Sequence, residues 1–435
     1  MIVRKFIELL HANKRGHRHI GVFSICSAHP VVLESAMRHA MVRGYLLLIE
    51  ATSNQVNQFG GYTGMTPQDF VEFIRNLAKQ SGYPFEQILL GGDHLGPNFW
   101  SKEPASLAME KASEMVRQYV SAGFRKIHLD ASMFCADDYG DRTKPLEDSV
   151  VAERAALLCQ VAEQAWEDTG HAGEPPCYII GTEVPIPGGM VFEHHTIRPT
   201  SPEDAVRTLE VTRSIFNRYG LESVWDRVVA LVVQPGVEFG DDEVAVYDPV
   251  AAAELHRALQ PYDSIVCEAH STDYQPKSAL HSLVADHCCI LKVGPWVTYA
   301  YREALYALES IEIELLAAGK VSKRSQLRET IENTMRGQPE YWKNYYAAGP
   351  ELSLKLSYSY SDRIRYYWFQ PEVSRAVDTL VRNLERIGIP NSLVSQFFPI
   401  AYQEILEGRL ENSPGNLIIH HVQQVLELYA DACGL

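Results

Sequence analysis

Eight short, almost uninterrupted apolar runs, separated by longer helical patterns, constrain this 435-residue chain more than any other feature. The runs are residues 19–26 (HIGVFSIC), 45–52 (YLLLIEAT), 88–94 (ILLGGDH) and 126–132 (KIHLDAS), followed by 178–183 (YIIGTE), 228–235 (VVALVVQP), 264–270 (SIVCEAH) and 289–294 (CILKVG). Strands apolar on both faces are buried on both faces, as in parallel sheets covered by helices. Helical stretches fall between them at 30–43, 66–81, 105–122, 149–168, 201–219, 249–259, 277–286 and 298–318. Eight βα units in series predict a (β/α)8 TIM barrel over residues 1–320. A doubly wound open sheet is the competing architecture, but no G-x-G-x-x-G follows the first strand. Beyond residue 320 the β signals stop. Segments 325–346, 371–387, 392–407 and 413–432 read as helices joined at Pro and Gly, a helical extension over 321–435 packed on the barrel.

Composition narrows the function classes. Lys plus Arg is 39 and Asp plus Glu is 55, a net charge of −16 that disfavours nucleic acid or an anionic membrane as partner. No apolar run reaches the roughly 18 residues of a membrane span, and the start, with Lys5, Lys14, Arg15 and Arg18, has no secretory stretch. Eight cysteines without a C-x-x-C pair read as reduced thiols in a cytoplasm.

In a TIM barrel the reacting groups sit at the C-terminal strand ends. Those ends carry Ser24 and Cys26, Glu50, Asp93 and His94, Asp130, Glu183, Gln234, His270 and Lys292, with Glu238 just after the sixth strand. Burying so many polar groups without purpose is unfavourable, so the pattern predicts a functional pocket. His94 and His270 with an acid form a candidate metal site, Glu238 being the candidate third ligand; imidazole and carboxylate suit zinc, or manganese with more oxygen donors. His194 and His195 are ligand-like too, but read better as a lid or a surface pair. Asp93 and Glu183 are candidate general acid/base residues, and Asp130 is a further candidate catalytic residue. For phosphate, Ser271, Thr272, Asp273 and Gly294 occupy the usual barrel position. Asp273 is unfavourable there, and Lys292, Arg363 and Arg365 are alternative sources of charge. Arg363 and Arg365 read equally well as fasteners of the extension.

Long stretches of this sequence resemble the GatZ/KbaZ family, the larger component of class II D-tagatose-1,6-bisphosphate aldolases. They include Cys26-Ser27-Ala28-His29-Pro30, Ile49-Glu50-Ala51-Thr52-Ser53-Asn54-Gln55 and Gly91-Gly92-Asp93-His94-Leu95-Gly96-Pro97-Asn98. Further matches are Glu268-Ala269-His270-Ser271-Thr272-Asp273 and Asp362-Arg363-Ile364-Arg365-Tyr366-Tyr367-Trp368. The family is in turn similar to zinc-dependent class II fructose-bisphosphate aldolases. That resemblance implies an acid/base and ligand pair at Asp93-His94, an Asp-Ser segment at Asp130 and Ser132, a Glu before a Gly-Gly loop at Glu183, and the last zinc histidine at His270. Where those aldolases place a middle zinc histidine, this sequence offers Glu238. The candidate substrate contacts along the strand ends and the following loops are Ser24, Glu50, Asn54, Gln234, Ser271, Thr272, Asp273, Lys292, Gly294 and Arg363, although Ser271-Thr272-Asp273 stands where those aldolases carry a Gly-rich phosphate loop. Three roles follow from the resemblance: aldol and retro-aldol chemistry on a ketohexose or its phosphate as a component of the aldolase, stand-alone ketohexose 4-epimerisation by cleavage and re-formation of C3–C4, or a non-catalytic subunit stabilising a separate catalytic aldolase. An oligomer, and a class II aldolase chain as partner, are expected.

Overall fold

The computed structural model describes residues 1–16, 18–181 and 197–435. Glu183, His194 and His195 lie outside the described residues. All eight apolar runs become strands of one closed parallel barrel. In chain order these are β1 (Val22–Ile25), β2 (Leu47–Thr52), β3 (Ile88–Leu95), β4 (Lys126–Leu129), β5 (Cys177–Gly181) and β6 (Val228–Val233). A two-stranded hairpin, β7 (Glu238–Phe239) and β8 (Val244–Ala245), precedes the last two staves, β9 (Val266–Ala269) and β10 (Cys288–Val293). The staves close in the order β1-β10-β9-β6-β5-β4-β3-β2.

Strand alternation divides the apolar residues into two shells. Val22, Leu48, Leu89, Ile179, Val266 and Ile290 fill the inside of the barrel near the strand starts. Helix α1 (Ile2–Lys14), which the apolar-run pattern did not reveal, adds Val3, Phe6 and Leu10 to this cluster and closes the N-terminal end. The outward-facing residues pack against helices α2 (Pro30–Arg43), α3 (Pro67–Ser81), α4 (Ala105–Ala122), α5 (Asp148–Asp168), α6 (Pro202–Arg218), α7 (Pro249–Leu259), α8 (Lys277–Ala285) and α9 (Pro295–Ala317). Among the described residues no helix is long and apolar enough to cross a membrane.

The extension contains α10 (Leu327–Gly337), α11 (Leu352–Tyr358), α12 (Pro371–Ile387), α13 (Asn391–Phe397), α14 (Pro399–Leu406) and α15 (Pro414–Ala432). The helix expected over 325–346 stops at Gly337 before Pro339, and the one expected over 392–407 is broken at Pro399. Proline has no N–H for the interior ladder and its ring crowds the preceding turn, so each break starts a new element. The last helix, α15, returns to the barrel. Tyr429 donates its hydroxyl to the Thr272 carbonyl at 2.7 Å, Gly21 N–H reaches the Cys433 carbonyl at 2.9 Å, and Asp431 pairs with Arg43 and Lys277. One continuous apolar cluster contains Leu305 and Leu315 together with Leu327, Leu380 and Leu426, so the core runs through the junction at residue 320.

Candidate active site

Above the apolar floor, the inside of the barrel is charged. On β4, Lys126 and His128 alternate inward, with Asp130 next in line; Glu268 on β9 and His270 directly after it do the same, facing Glu50 from β2, Asp93 from β3 and Lys292 from β10. Lys126 Nζ lies 2.8 Å from Glu50 and 2.7 Å from Glu268. Lys292 Nζ lies 2.8 Å from Glu50, 2.6 Å from Asp93 and 3.8 Å from Glu268. Gly91 makes the arrangement possible, because a Cβ there would stand 2.7 Å from Glu50 Cγ. Burial alone would discharge both lysines, but the carboxylates around them outweigh it and hold their pKa values above the ordinary range. Lys292 is therefore an ammonium at neutral pH and no nucleophile for a carbonyl.

Over this layer three imidazoles converge. The ring centroids of His94, His128 and His270 are 5.0–5.5 Å apart. Ligand atoms of Asp93, His94, His128 and His270 all lie within 4.8 Å of one another. Two histidines are backed by carboxylates. His94 donates Nδ1–H to Asp130 Oδ2 at 2.7 Å, and Asp130 Oδ1 accepts from Ser132 at 2.7 Å. His270 donates Nε2–H to Glu268 Oε1 at 3.0 Å. A carboxylate behind an imidazole fixes the tautomer and turns the other nitrogen toward the site, the usual support of a metal-ligating histidine. Burial pushes His270 down to about 3, so its ring is neutral. His128 donates Nε2–H to the Gly181 carbonyl at 3.0 Å and holds Nδ1 2.9 Å from Asp93 Oδ1. Burial opposes the Asp93 charge, yet His94, Lys292 and His128 around it keep the carboxyl well below the usual range.

Asp93 and His94 are neighbours in a strand and would normally face opposite ways. His94 escapes that rule with φ 51°, and Ser271, directly after His270, has φ 50°. Non-glycine residues in the left-handed region carry strain of order 1–3 kcal/mol, and such strain collects at functional sites.

A cavity of about 390 Å³ opens over these groups. Of the residues anticipated from sequence, Asp93, His94, Asp130, His270, Asn54, Ser271, Asp273, Lys292, Gly294 and Arg363 line it. Others stand elsewhere. Glu238, expected as third ligand, is outside the converging group; its carboxylate accepts from the Ser271 hydroxyl at 3.2 Å and from the Phe239 N–H. Glu50 is sealed in the ion network, and Ser24 is buried beside Cys26. Gln234 holds its own turn through Gly236 and Val237 N–H, while Thr272 is tied to Tyr429 and the Lys292 carbonyl. Asp273 does more than crowd a phosphate. It accepts from Gly294 N–H at 3.0 Å and Trp296 N–H at 2.8 Å, so a carboxylate of the chain already occupies the anion position at the α9 N-terminus. Burial raises its pKa to about 6 despite those N–H groups.

The extension supplies the rim. Tyr345, Arg363, Arg365 and Tyr366 line the cavity together with Tyr62 and Asn98. The Arg363 guanidinium lies 3.4 Å over the Tyr345 ring, and Arg365 donates to the Tyr366 hydroxyl at 3.1 Å. Sequence reasoning did not single out Lys126, His128 or Glu268. Their signal was the two-residue spacing to Asp130 and His270, which puts all of them on the inward face.

The family model "D-tagatose-1,6-bisphosphate aldolase subunit GatZ/KbaZ-like" matches residues 6–434. The chain belongs to the GatZ/KbaZ family. Two relatives described as D-tagatose-1,6-bisphosphate aldolase subunit GatZ, from Salmonella dublin and Salmonella enteritidis PT4, are each 47% identical over 427 residues, covering 98% of both chains. A solved structure described as a probable tagatose 6 phosphate kinase from Sinorhizobium meliloti 1021 superposes with a TM-score of 0.86 at 45% identity, over 95% of this chain and 100% of that one. For this GatZ/KbaZ-family chain, the barrel anticipated from the eight runs and the family anticipated from its motifs both stand.

Proposed function

We propose that this chain carries a working pocket for reversible aldol cleavage of a ketohexose or ketohexose phosphate at C3–C4, assisted by a divalent metal, as a component of a tagatose-bisphosphate aldolase. The observation that carries the reading is the convergence of His94, His128 and His270 with Asp93 at an open barrel mouth, two of the rings braced by Asp130 and Glu268. The donor set fits a metal. His94 and His270, whose other ring nitrogens donate to Asp130 and Glu268, would hold it together with His128, and zinc is the ion that three imidazoles favour. When bound there, such an ion supplies Lewis-acid stabilisation of the negative charge that develops on the substrate.

The chain's own groups do the rest. Asp93, ionised and held by Lys292, accepts the proton of the C4 hydroxyl as the C3–C4 bond breaks. The bonding pair moves to C3 and on to the C2 carbonyl oxygen, forming an enediolate, and the Lys292 ammonium, 2.6 Å from Asp93, supplies fixed positive charge to the cavity. Re-addition of the aldehyde returns the proton. Arg363 and Arg365 provide the positive rim for a phosphate.

Asp273 favours a second reading. With the α9 N-terminus filled by a carboxylate, a sugar bearing at most one phosphate suits the cavity. Such a chain works as a 4-epimerase when the aldehyde turns before the bond re-forms. The kinase named for the Sinorhizobium relative draws no support from this cavity, whose helix N-terminus is closed to a transferred phosphoryl group.

The purified chain, loaded in turn with zinc and manganese, should be incubated with tagatose 1,6-bisphosphate, fructose 6-phosphate and fructose, and the products resolved by carbon NMR. Triose phosphates establish the aldolase reading and a C4 epimer the second one. Unchanged sugars with metal bound leave the accessory-subunit role. Equal metal stoichiometry in His270→Ala and the parent chain removes the metal assignment.

A further inference from the structure

A second convergence of ligand-type side chains lies on the opposite, outer face of β9 and β10. Cys267 and Cys288 are direct register partners on these parallel strands, and both are buried in the layer between the barrel and its helices. His256 reaches them from α7. One ring nitrogen of His256 and the two sulfurs lie within 4.8 Å of one another.

What separates this cluster from ordinary thiol packing is the relay behind the histidine. The Tyr247 hydroxyl donates to Asp286 Oδ2 at 2.8 Å, and a carboxylate accepts only. Its oxygen, 2.9 Å from His256 Nε2, therefore accepts from Nε2–H. This fixes the tautomer with the proton on Nε2 and the lone pair on Nδ1, the nitrogen left for the sulfurs. An Asp–Tyr–His chain ending on two thiols repeats the support given to ligating histidines, by residues unconnected with the barrel mouth. Two thiols and an imidazole are a soft donor set, suited to zinc or copper(I). His256 is only half-buried, which gives an ion a way in.

We infer that Cys267, Cys288 and His256 form a structural binding site for a thiophilic metal ion, with Tyr247 and Asp286 as its outer support. On binding, the two thiols lose their protons to solvent and the ion clamps β9 to β10. Those strands carry Glu268 and Lys292 on their inner faces and lead directly into His270, so the clamp holds the register on which the barrel-mouth geometry depends.

The test uses the full chain, stripped by chelation, kept reduced and titrated with cobalt(II). The expected result is a near-ultraviolet thiolate-to-cobalt charge-transfer band that zinc abolishes by displacement. The band is retained in His94→Ala/His270→Ala, which removes the nitrogen site at the mouth, and lost in Cys267→Ser/Cys288→Ser. Tyr247→Phe keeps the packing but breaks the relay, and should weaken cobalt affinity about 10–100-fold. That variant keeps the test decisive where the double serine chain fails to fold. A saturated cobalt titration without the band, a band that survives in the double serine variant, or Tyr247→Phe with unchanged affinity overturns the inference.

Discussion

Replacing Lys292 by methionine tests the charged layer that underlies the site. Its ammonium lies 2.6 Å from Asp93 and 2.8 Å from Glu50, and the group is buried. At an effective dielectric near 20, a pair at 2.6 Å attracts by about 6 kcal/mol. Desolvation of both ions offsets several kcal/mol of that, and removing one partner of a buried pair typically costs about 3–5 kcal/mol. Glu50 and Glu268 keep Lys126, and Asp93 keeps His94 and His128, so the lower end, ~3 kcal/mol, is expected. Lys126→Met is the control, because Lys126 shares Glu50 and Glu268 but does not line the cavity. Chemical denaturation of the two variants should give comparable losses. Only Lys292→Met should also change the titration of the site. Asp93 is held low by its positive neighbours, so losing one raises its pKa, and the acid limb of metal binding and turnover moves to higher pH. The reasoning fails if Lys292→Met stays within ~1 kcal/mol of the parent, well short of the buried-pair loss. It fails equally if Lys126→Met shifts the acid limb as far as Lys292→Met does.

Asp130→Asn should leave the fold intact and weaken metal binding about 10–100-fold in a competitive chelator titration, because the carboxylate that orients His94 and raises its basicity becomes a neutral amide. Asp273 has a folded pKa of about 6, raised above its unfolded value near 3.9. The folded state thus holds that proton more tightly, and the stability this group contributes is present at low pH and lost as pH rises from about 4 to about 6. The stability of the parent relative to Asp273→Asn should fall by on the order of 2–3 kcal/mol across that window in denaturation at stepped pH; a flat difference refutes it. Arg363→Gln should raise KM for a phosphorylated ketohexose about 10–100-fold, the loss of one charge-assisted hydrogen bond, and leave KM for the free sugar unchanged. Equal effects on both would remove Arg363 from phosphate recognition.

The sequence by itself determined the barrel, the helical nature of the extension and the residues at its strand ends. Strand and helix periods are local, and a run such as VVALVVQP needs no partner to declare that both its faces are buried. Asp93, His94 and His270 were legible for the same reason, since a polar side chain closing an apolar strand of a barrel has one place to go. Tertiary structure decided which of these groups meet. The left-handed turn at His94 brings neighbouring side chains to one site, and inward alternation on β4 adds His128 where Glu238 was expected. Asp273 was legible as a misfit for phosphate, but its capture of the α9 N-terminus depends on N–H groups 21 and 23 residues away. Thr272 became a strut for a tyrosine 157 residues further on, and Arg363 and Arg365 reached the mouth because the segment that carries them is tied to the barrel side through bonds of Thr298 to Asp362, Tyr274 to Tyr360 and Tyr360 to Asp241. Such convergence depends on long-range packing and on single backbone angles, neither of which leaves a periodic trace in a chain.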